Sequence, residues 1–408
     1  MIHMQNLSEK LTFLAGSAET FGNVTDTPVL PMFSERAVGF LSALSAELMH
    51  DSRARRMTDV MAYAYWIRKA SLGSVMQRYP ERDKRLGRGI AFHIAPSNVP
   101  VNFAVSMTSS LLAGNITVVR VSDKQFEQVE VICGAVRRLT DGEYADMRRY
   151  LYIIRYPHSD EITAKLSAVC DIRIIWGGDR TIADIRRAPL PPRAIEMTFA
   201  DRHSAAVINA EEYLRSDPAA VAKGFYTDTY YTDQNACSSP RIVFWLGERV
   251  GEARERFWDE LAKLVHRDYL MKPIQAVDKY SMLCKLGMDR QGVRLIGHDN
   301  TLMRIETDKL TNDLTDFKFG GGYFFEYIAD SLEELVPVLG KRCQTISVLG
   351  VEKSDVLSLV MKHGVRGVDR IVPLGETMGL EFIWDGYNMI EAMTRLIYTG
   401  VDKHEITE

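Results

Sequence analysis

The hydrophobic positions near the amino terminus repeat with the period of a helix. Between residues 35 and 79, apolar side chains recur at three- and four-residue steps: Phe40, Leu41, Leu44, Leu48. The pattern continues from Met61 to Met76. Apolar residues at this spacing line one face of an amphipathic helix. The sequence therefore predicts a helical region over residues 1–84, ahead of the first strand pattern.

After residue 84, short β-rich runs alternate with helical stretches. The runs with a strand pattern are Gly87–Ala95, Ile116–Val121, Leu151–Arg155 and Ile172–Trp176. Helical stretches over Gln125–Leu139 and Glu161–Val169 lie between them. This alternation is typical of βα units around a mostly parallel sheet. In such sheets, ligands bind beyond the carboxyl ends of the strands.

A second α/β segment begins near Ser204. Strand patterns at Ile242–Trp245, Ser347–Leu349 and Ile371–Pro373 are again separated by helical stretches. The triplet Gly320–Gly322 marks a place where the backbone turns sharply or approaches another group closely. No Gly-x-Gly-x-x-Gly or phosphate-loop motif is present, which argues against a standard Rossmann or nucleoside-triphosphatase site.

The composition is that of a soluble globular chain with room for two cores. The chain has 408 residues, 46% of them hydrophobic and 25% charged, and a net charge of −4. That charge gives no reason to expect nucleic acid or an anionic membrane as a partner. Five scattered cysteines lack the spacing of a zinc site, so we expect neither structural metal nor disulfides. No targeting segment or long apolar stretch is evident, and we expect a cytoplasmic protein.

The cysteine at position 237 stands among small and polar residues. It lies in Asp233–Pro240, which reads Asp-Gln-Asn-Ala-Cys-Ser-Ser-Pro, with no apolar run on either side. A structural cysteine usually occupies apolar sequence, because a thiol behaves as a small hydrophobe. A nucleophilic cysteine needs thiolate character and access, which polar and backbone-rich surroundings provide. The segment therefore indicates that Cys237 is a nucleophile.

An asparagine follows the strand pattern that ends near Ala95. The loop Pro96–Pro100 contains Ser97 and Asn98 between two prolines and precedes the helical run Phe103–Leu112. An amide at the carboxyl edge of a sheet can donate to an oxygen that becomes negative in acyl chemistry. Asparagine is also common in turns and at helix N-caps. The residues alone leave both roles open for Asn98.

Four features together resemble the aldehyde dehydrogenase superfamily. They are the strand-Pro-x-Asn-x-Pro-helix segment, a strand ending in Arg120-Val121-Ser122-Asp123, a Trp-Gly-Gly turn before a helix, and the Gln-Asn-Ala-Cys motif. More narrowly, the chain from about residue 85 resembles the fatty acyl-CoA reductases encoded in bacterial bioluminescence operons (the Lux type). The segments that carry this narrower resemblance are Asp233–Pro240, Arg342–Ser347, Asp369–Gly375 and Ile383–Tyr387.

The resemblance implies an aldehyde dehydrogenase-like α/β fold, with two α/β domains of mostly parallel sheets after the helical region 1–84. A dinucleotide-binding domain would cover residues 85–203, and a catalytic domain with Cys237 would cover residues 204–370. The segment 371–408 would pack back on the cleft between the domains or on a subunit interface. The resemblance also implies a homo-oligomer.

The resemblance further implies the reduction of an acyl-CoA, or another acyl thioester, to an aldehyde. Cys237 would form a covalent acyl thioester, and Asn98 would hold the oxyanion together with the backbone N–H of Cys237. Hydride from a nicotinamide would then reduce the acyl group. His203 could protonate the departing group, or it could be a histidine hydrogen-bonded between strands. Some relatives work with an acyl-activating synthetase, and the sequence leaves such a partner open.

The same resemblance places a nicotinamide dinucleotide on residues of the first α/β segment. These residues are Pro96, Ser97, Arg120, Ser122, Gly177, Gly178, Asp179, Thr181 and Ile182. The family generally uses NADPH. Asp123 favours the ribose hydroxyl of NADH instead, whereas Arg120, Lys124 or Arg180 could pair with the NADPH phosphate. We expect NADPH and keep NADH open.

Aldehyde-oxidising relatives carry a Glu-Leu-Gly-Gly segment whose carboxylate activates water, and this motif is absent here. Residues 198–203 read Thr-Phe-Ala-Asp-Arg-His, with Glu196 and Asp201 as nearby carboxylates. Without such a base, water would not hydrolyse the acyl-enzyme before hydride transfer, and this favours a reductase. The alternatives are an aldehyde-oxidising dehydrogenase on the same fold and a thioester acyltransferase or hydrolase without redox chemistry.

Overall fold

The computed structural model describes residues 7–400, which fall into two compact units. The first unit contains the described residues up to Ala200, together with Leu380–Ile383 and the residues from Tyr387 onward. The second unit contains Asp201–Gly379 and Trp384–Gly386. The sequence analysis placed this boundary between residues 203 and 204. Residues 1–6 and 401–408 of the predicted terminal regions lie outside the described residues.

The first unit is built around a mostly parallel sheet. Its strands up to residue 200 are β1 (Thr12–Ala15), β2 (Arg85–Gly87), β3 (Ile90–Ile94), β4 (Ile116–Arg120), β5 (Leu151–Arg155), β6 (Ile172–Trp176) and β7 (Ile195–Phe199). Its helices there are α1 (Ala18–Phe21), α2 (Glu35–His50), α3 (Thr58–Trp66), α4 (Lys69–Met76), α5 (Asn102–Leu112), α6 (Glu127–Asp141), α7 (Asp160–Ser167) and α8 (Asp179–Arg186). Six strands form a sheet in the order β1-β5-β4-β3-β6-β7, in which only the β1–β5 pair of the described strands is antiparallel.

The N-terminal region is helical, as predicted, but it also supplies an edge strand. Helix α2 begins after Ser34, whose hydroxyl accepts a hydrogen bond from the backbone N–H of Ala37 at 3.3 Å. Its apolar stripe, with Phe40 and Leu44, is fully buried. Strand β1 falls within the region predicted as helical. Four residues give too short an alternation to reveal a strand, and pairing with β5 is what makes it one.

The second unit contains a larger sheet of the same kind. Its strands are β8 (His203–Asn209), β9 (Pro240–Leu246), β10 (Val293–His298), β11 (Met303–Thr307), β12 (Tyr323–Ile328), β13 (Cys343–Leu349) and β14 (Arg370–Pro373). Its helices are α9 (Ala210–Arg215), α10 (Pro218–Thr229), α11 (Val250–Asp268), α12 (Pro273–Asp289) and α13 (Lys353–His363). The strand order is β10-β11-β12-β9-β8-β13-β14, and β10 runs antiparallel to its neighbour, whereas the other pairs are parallel.

Both faces of this second sheet are covered. Along β9, Ile242 and Phe244 enter one hydrophobic cluster, and Val243 and Trp245 enter another. Successive side chains of a strand point to opposite faces, so each face has its own core. This double burial explains why the strands read as continuous apolar runs rather than as alternating ones.

The last described residues belong mostly to the first unit, with Trp384–Gly386 in the second. They form β15 (Ile383–Trp384), β16 (Tyr387–Asn388), α14 (Met389–Ala392) and β17 (Thr394–Leu396). Strand β17 pairs antiparallel with β2, which lies in the first unit as well. Among the helices of residues 7–400, none combines the length and the apolar character that a membrane span requires.

Candidate active site

The cysteine loop enters β9 at the amino end of the strand. Asp233 and Gln234 both adopt the left-handed backbone conformation, with φ of 52° and 57°. Residues other than glycine rarely adopt it, and such strain is concentrated at functional sites. The backbone N–H of Gln234 donates to the Thr229 carbonyl at 2.7 Å, and that of Asn235 donates to the Thr232 carbonyl at 2.8 Å. These turns set Cys237 just before the strand.

A buried glutamine clamps the loop to the strand ends around it. The side chain of Gln234 is fully buried. Its amide nitrogen donates to the carbonyl oxygens of Pro240 at 3.0 Å and Tyr323 at 3.2 Å. Its amide oxygen accepts from the backbone N–H groups of Gly322 and Tyr323, both at 3.0 Å. The amide thus ties the cysteine loop to the amino ends of β9 and β12.

The backbone of the cysteine itself is tied to two more strands. The hydroxyl of Ser204 in β8 donates to the Cys237 carbonyl at 2.7 Å. The same hydroxyl accepts from the backbone N–H of Thr345 in β13 at 3.1 Å. Cys237 therefore lies at the amino ends of the parallel strands, whereas ligands of such sheets usually lie at the carboxyl ends.

The thiol of Cys237 is half-buried and surrounded by charge. Burial raises its pKa above the usual value, whereas the backbone N–H of Arg202 lowers it by donating to the sulfur. The carboxylates of Asp201 and Asp385 raise the pKa further, and the ammonium of Lys318 lowers it. Because only the thiolate is nucleophilic, these groups decide how much of the cysteine can react.

Two cations near Cys237 were not predicted. Lys318 donates to Asp201 at 2.8 and 2.9 Å and to the Arg202 carbonyl at 3.1 Å. Arg241 is buried, and its guanidinium donates to the carbonyl oxygens of Gln234 and Phe319. Arg241 follows the cysteine segment and Lys318 precedes the glycine triplet, but no motif in the sequence joins either residue to the cysteine.

His203 is the first residue of β8 and is buried. Burial, followed by the charges of Lys318, Arg342 and Arg241, lowers its pKa to about 3. The imidazole is therefore neutral at physiological pH and has no imidazolium proton to give. Within residues 7–400 neither ring nitrogen has a hydrogen-bond partner of ordinary geometry. The geometry therefore does not supply the bond expected of a histidine hydrogen-bonded between strands, and a buried, neutral imidazole is poorly suited to donate a proton.

The two carboxylates nearest to the missing glutamate motif are both engaged. Glu196 in β7 accepts from Arg173 at 2.8 Å and from Arg186 at 2.6 Å. Asp201 accepts from Lys318 through both oxygens. Both carboxylates are therefore engaged in ion pairs rather than directed at an open position.

The predicted cofactor residues gather at one edge of the first sheet. In the sheet, Ile94 at the end of β3 pairs with Arg120 of β4 on one side and with Ile175 of β6 on the other. Arg120 is the last residue of β4, and the segments that follow these three strands contain the other eight residues: Pro96, Ser97, Ser122, Gly177, Gly178, Asp179, Thr181 and Ile182. The carboxyl ends of parallel strands thus bring together groups that are far apart in sequence.

The turn after β6 is shaped for a close approach. A Cβ on Gly177 would fall 3.1 Å from the Thr181 side chain, so this position requires a very small residue. Gly178 is the N-cap of α8 and is exposed, which leaves the first N–H groups of the helix open to an anion. Arg120 lies over the ring of Tyr156 at 5.0 Å. Among the described residues its buried Nε has no hydrogen-bond partner. These features fit the pyrophosphate and ribose of a dinucleotide.

Beneath this turn lies a buried polar chain. The indole N–H of Trp176 donates to the Ser106 hydroxyl at 3.1 Å, and His93 contacts the same hydroxyl at 2.7 Å. Trp176 also stacks on Phe199, with ring centroids 3.8 Å apart. The backbone N–H of Gly177 donates to the Phe199 carbonyl at 3.1 Å. This support fixes the position of the glycine turn.

Asn98 lies in an exposed bend after β3. It is not a helix N-cap, because Val101 caps α5. Within residues 7–400, no group hydrogen bonds to the Asn98 amide, so the amide stays available as a donor. Asn98 belongs to the first unit and Cys237 to the second.

The fold defines an α/β protein of the aldehyde dehydrogenase type. An indole-3-acetaldehyde dehydrogenase in complex with NAD+ is similar with a TM-score of 0.66, at 13% identity over 97% of this chain and 88% of that one. The glyceraldehyde-3-phosphate dehydrogenase GapN from Methanocaldococcus jannaschii, complexed with NADP, reaches a TM-score of 0.65 at 12% identity, over 97% and 92% of the two chains. These likenesses confirm the predicted fold.

The family follows from the sequence match. The model of the acyl-CoA reductase (LuxC) family matches residues 4–279, more than half of the chain, and the protein belongs to that family. A long-chain acyl-protein thioester reductase of Aliivibrio fischeri is 24% identical over 296 residues, which are 71% of this chain and 58% of the relative. The same enzyme of Photobacterium phosphoreum is 23% identical over 324 residues, 76% and 63% of the two chains. The chain thus spans less than two thirds of the length of either relative.

Proposed function

We propose that this protein reduces an acyl thioester to the aldehyde, with NADPH as reductant and an acyl group held covalently on Cys237. The observation that carries the proposal is the clamped, strained loop that presents Cys237 between cations and backbone N–H groups. A thioester is activated enough for thiolate exchange, and a covalent acyl-enzyme holds the carbonyl in place for reduction.

The cysteine does the group transfer. The thiolate of Cys237 attacks the thioester carbonyl, the bond between that carbonyl and the donor sulfur breaks, and the donor leaves as a thiol. Reduced nicotinamide, when bound, supplies the hydride that takes the acyl carbonyl to the aldehyde level. Collapse of the resulting thiohemiacetal then breaks the bond to Cys237 and returns its thiolate. In sum, thioester, reduced nicotinamide and one proton give aldehyde, thiol and oxidised nicotinamide.

Two N–H donors are proposed for the oxyanion. We carry over Asn98 from the family resemblance as one donor, together with the backbone N–H of Cys237. The exposed, unpartnered amide of Asn98 supports this role, because a preorganised donor must not be consumed by another acceptor. His203 stays a proposal for proton transfer, and its buried, neutral imidazole argues against that role.

The cofactor would be held by the edge of the first sheet described above. The glycine turn and the start of α8 would hold the pyrophosphate, and Arg120 would lie near the adenosine ribose. Lys124 and Arg180 are exposed beside this edge and offer positive charge to a 2′-phosphate, which supports NADPH. Asp123, also exposed, favours NADH. A comparison of the two KM values decides between them.

Aldehyde oxidation is the alternative on the same fold. It requires a base that delivers water to the acyl-enzyme. Both candidate carboxylates are held by cations, Glu196 by two arginines and Asp201 by Lys318. This observation favours thioester reduction over aldehyde oxidation.

The acyl donor has two candidate forms. The family name specifies an acyl-CoA, whereas the relatives are named for an acyl-protein thioester. We propose acyl-CoA as a direct substrate, with delivery by an acyl-activating synthetase as a second route. A homo-oligomer is likewise proposed from the resemblance, and light scattering of the purified chain measures it.

A product assay tests the proposed function. Acyl-CoAs of increasing chain length, and the same acyl groups on a carrier protein, are mixed with the protein and NADPH or NADH. We expect aldehyde in amounts equal to the nicotinamide oxidised, with at least one donor. The Cys237→Ala variant should form none, whereas Cys284→Ala, which removes an exposed cysteine, should match the parent. Nicotinamide reduction with free aldehyde, in the absence of any thiol acceptor, would contradict the proposal.

A further inference from the structure

Three segments of the second unit converge behind Cys237. The Lys318 ammonium joins the segment 317–319 to Asp201 and to the Arg202 carbonyl. The Arg241 guanidinium joins the same segment, through Phe319, to the cysteine loop, through Gln234. The Arg202 backbone N–H donates to the sulfur itself. The cysteine therefore faces a small, fixed set of charges.

Arg241 is a buried cation without an anion of its own. Within the described part of the chain, no carboxylate forms an ion pair with its guanidinium, which bonds only to backbone carbonyls. Burial lowers the pKa of Arg241 to about 10, and the charges of Asp201 and Cys237 partly offset this. Burying an unpaired charge is costly. A negative charge on Cys237 would reduce that cost.

Lys318 forms an ion pair with Asp201 beside the segment that contacts the cysteine. Its ammonium donates to both oxygens of Asp201 and to the Arg202 carbonyl, so the ion pair lies directly beside the segment that contacts the sulfur. Asp201 disfavours a thiolate at Cys237, and Lys318 favours it. The two charges of one ion pair therefore act on the thiol in opposite directions.

The remaining charge near the sulfur is already compensated. Asp385 accepts from Gln344 and pairs with Arg202 at 3.2 Å, and the Arg202 guanidinium also pairs with Asp369. His203, which faces the same cations, is neutral at physiological pH. Lys318 and Arg241 are thus the cations whose charge is left to act on Cys237.

We propose that Lys318 and Arg241 provide the positive charge that stabilises the Cys237 thiolate. In this proposal the ion pair between Asp201 and Lys318 sets how strongly Lys318 stabilises it. The proposal rests on Cys237 as the nucleophile of the proposed function. Lys318 and Asp201 are positioning residues in this scheme, because they act through the cysteine. Neutralising Lys318 should make the thiol harder to ionise, and neutralising Asp201 should make it easier.

Alkylation of Cys237 tests the proposal without any turnover. Iodoacetamide is added between pH 6 and pH 10 to the full chain with Cys284→Ala, which removes the exposed cysteine, and modification of Cys237 is followed by peptide mass. At pH 7 we expect Lys318→Met to react about fivefold to tenfold more slowly, and Asp201→Asn to react severalfold faster. The rates of all variants should converge toward one plateau as the pH rises above the pKa of each thiol, because every thiol is then ionised.

The controls separate charge from structure. Lys318→Arg should keep the parent profile, and so should Lys362→Met, which removes a lysine paired with Glu333 on the surface. Two results would indicate a structural role and overturn the proposal. The alkylation rates of Lys318→Met and Asp201→Asn could change in the same direction, or the rate at the high-pH plateau could differ from that of the parent. If Asp201→Asn does not fold, an unchanged profile of Lys318→Met overturns it alone. If the pH profiles of Cys237 alkylation shift as expected but the protein reduces no thioester, the proposed function is rejected and this inference stands.

Discussion

The candidate functional groups of the two sheets lie at different ends of the strands, at the carboxyl ends in the first sheet and at the amino ends in the second. In the first unit, the groups proposed to hold the cofactor follow the carboxyl ends of β4, β3 and β6. In the second, Cys237 precedes β9 and is tied to the amino ends of its neighbours. The first edge uses backbone geometry, a glycine turn and a helix start. The second uses side chains: the buried amide of Gln234 and the cations Arg241 and Lys318.

The two edges obtain their geometry and charge in different ways. Backbone N–H groups at a helix start attract anions whatever the neighbouring sequence. A loop that enters a strand has no such field, and it must be fixed and charged by side chains. The Gln234 side chain holds the loop in position, and Lys318 and Arg241 provide the positive charge. Changes around the cysteine loop should therefore act on the cysteine, and changes at the cofactor edge of the first sheet should act on nicotinamide binding.

The largest effect should come from the cysteine. Cys237→Ala removes the nucleophile, and we expect aldehyde formation to fall at least about a thousandfold. Nicotinamide affinity, measured by fluorescence titration, should change less than about twofold, because the cofactor edge lies in the first unit. Residual turnover near the parent rate would show that no acyl-cysteine forms.

Asn98 should come next. Asn98→Ala removes one donor to the oxyanion, and we expect kcat to fall about a hundredfold. The rate of Cys237 alkylation should stay at the parent value, since that reaction forms no oxyanion. Steady-state assays and alkylation of the same preparation give both numbers. An unchanged kcat would remove Asn98 from the site.

A change in Gln234 should affect both turnover and stability, and its effect on turnover should be smaller than that of Asn98→Ala. Gln234→Glu keeps the shape but loses the two N–H donors to Pro240 and Tyr323. We expect turnover to fall about tenfold to fiftyfold and the melting temperature of the second unit to fall. Gln125→Glu, the same change at an exposed position of the first unit, is the control. Calorimetry and the aldehyde assay measure the two effects, and parent-like values for Gln234→Glu would contradict the clamp.

The smallest effect should be on cofactor affinity. Arg120→Ala removes one charged contact, and we expect the KM for NADPH to rise about tenfold while kcat changes little. Arg149→Ala removes an arginine that also lies over a tyrosine ring, at 5.2 Å from Tyr150, and should leave both constants unchanged. A fall in kcat with an unchanged KM would place Arg120 outside the nucleotide site.

The fold could be predicted because its signals are local. The runs at Leu151–Arg155 and Ile172–Trp176 are strands over the predicted ranges, since consecutive apolar residues between turns are typical of a strand buried on both faces. The short strand β1 escaped prediction, because pairing with a distant partner defines it.

The candidate site could be predicted only where a motif is continuous. The cysteine segment is one run of residues, so Cys237 stood out. Lys318 lies in the loop before β12 and Arg241 in β9, and only the fold shows that their side chains bond to the segments around the cysteine. His203 shows the opposite limit: its position in the sequence suggested proton transfer, but the sequence does not reveal the burial that keeps its imidazole neutral.

The most direct test of the account is the intact mass of the protein after mixing with acyl-CoAs, first without reductant and then with NADPH. We predict a mass gain of one acyl group on Cys237, which NADPH discharges as an equal amount of aldehyde. A protein that gains no acyl group from any donor, or that releases the acyl group as a free acid on adding NADPH, would contradict it.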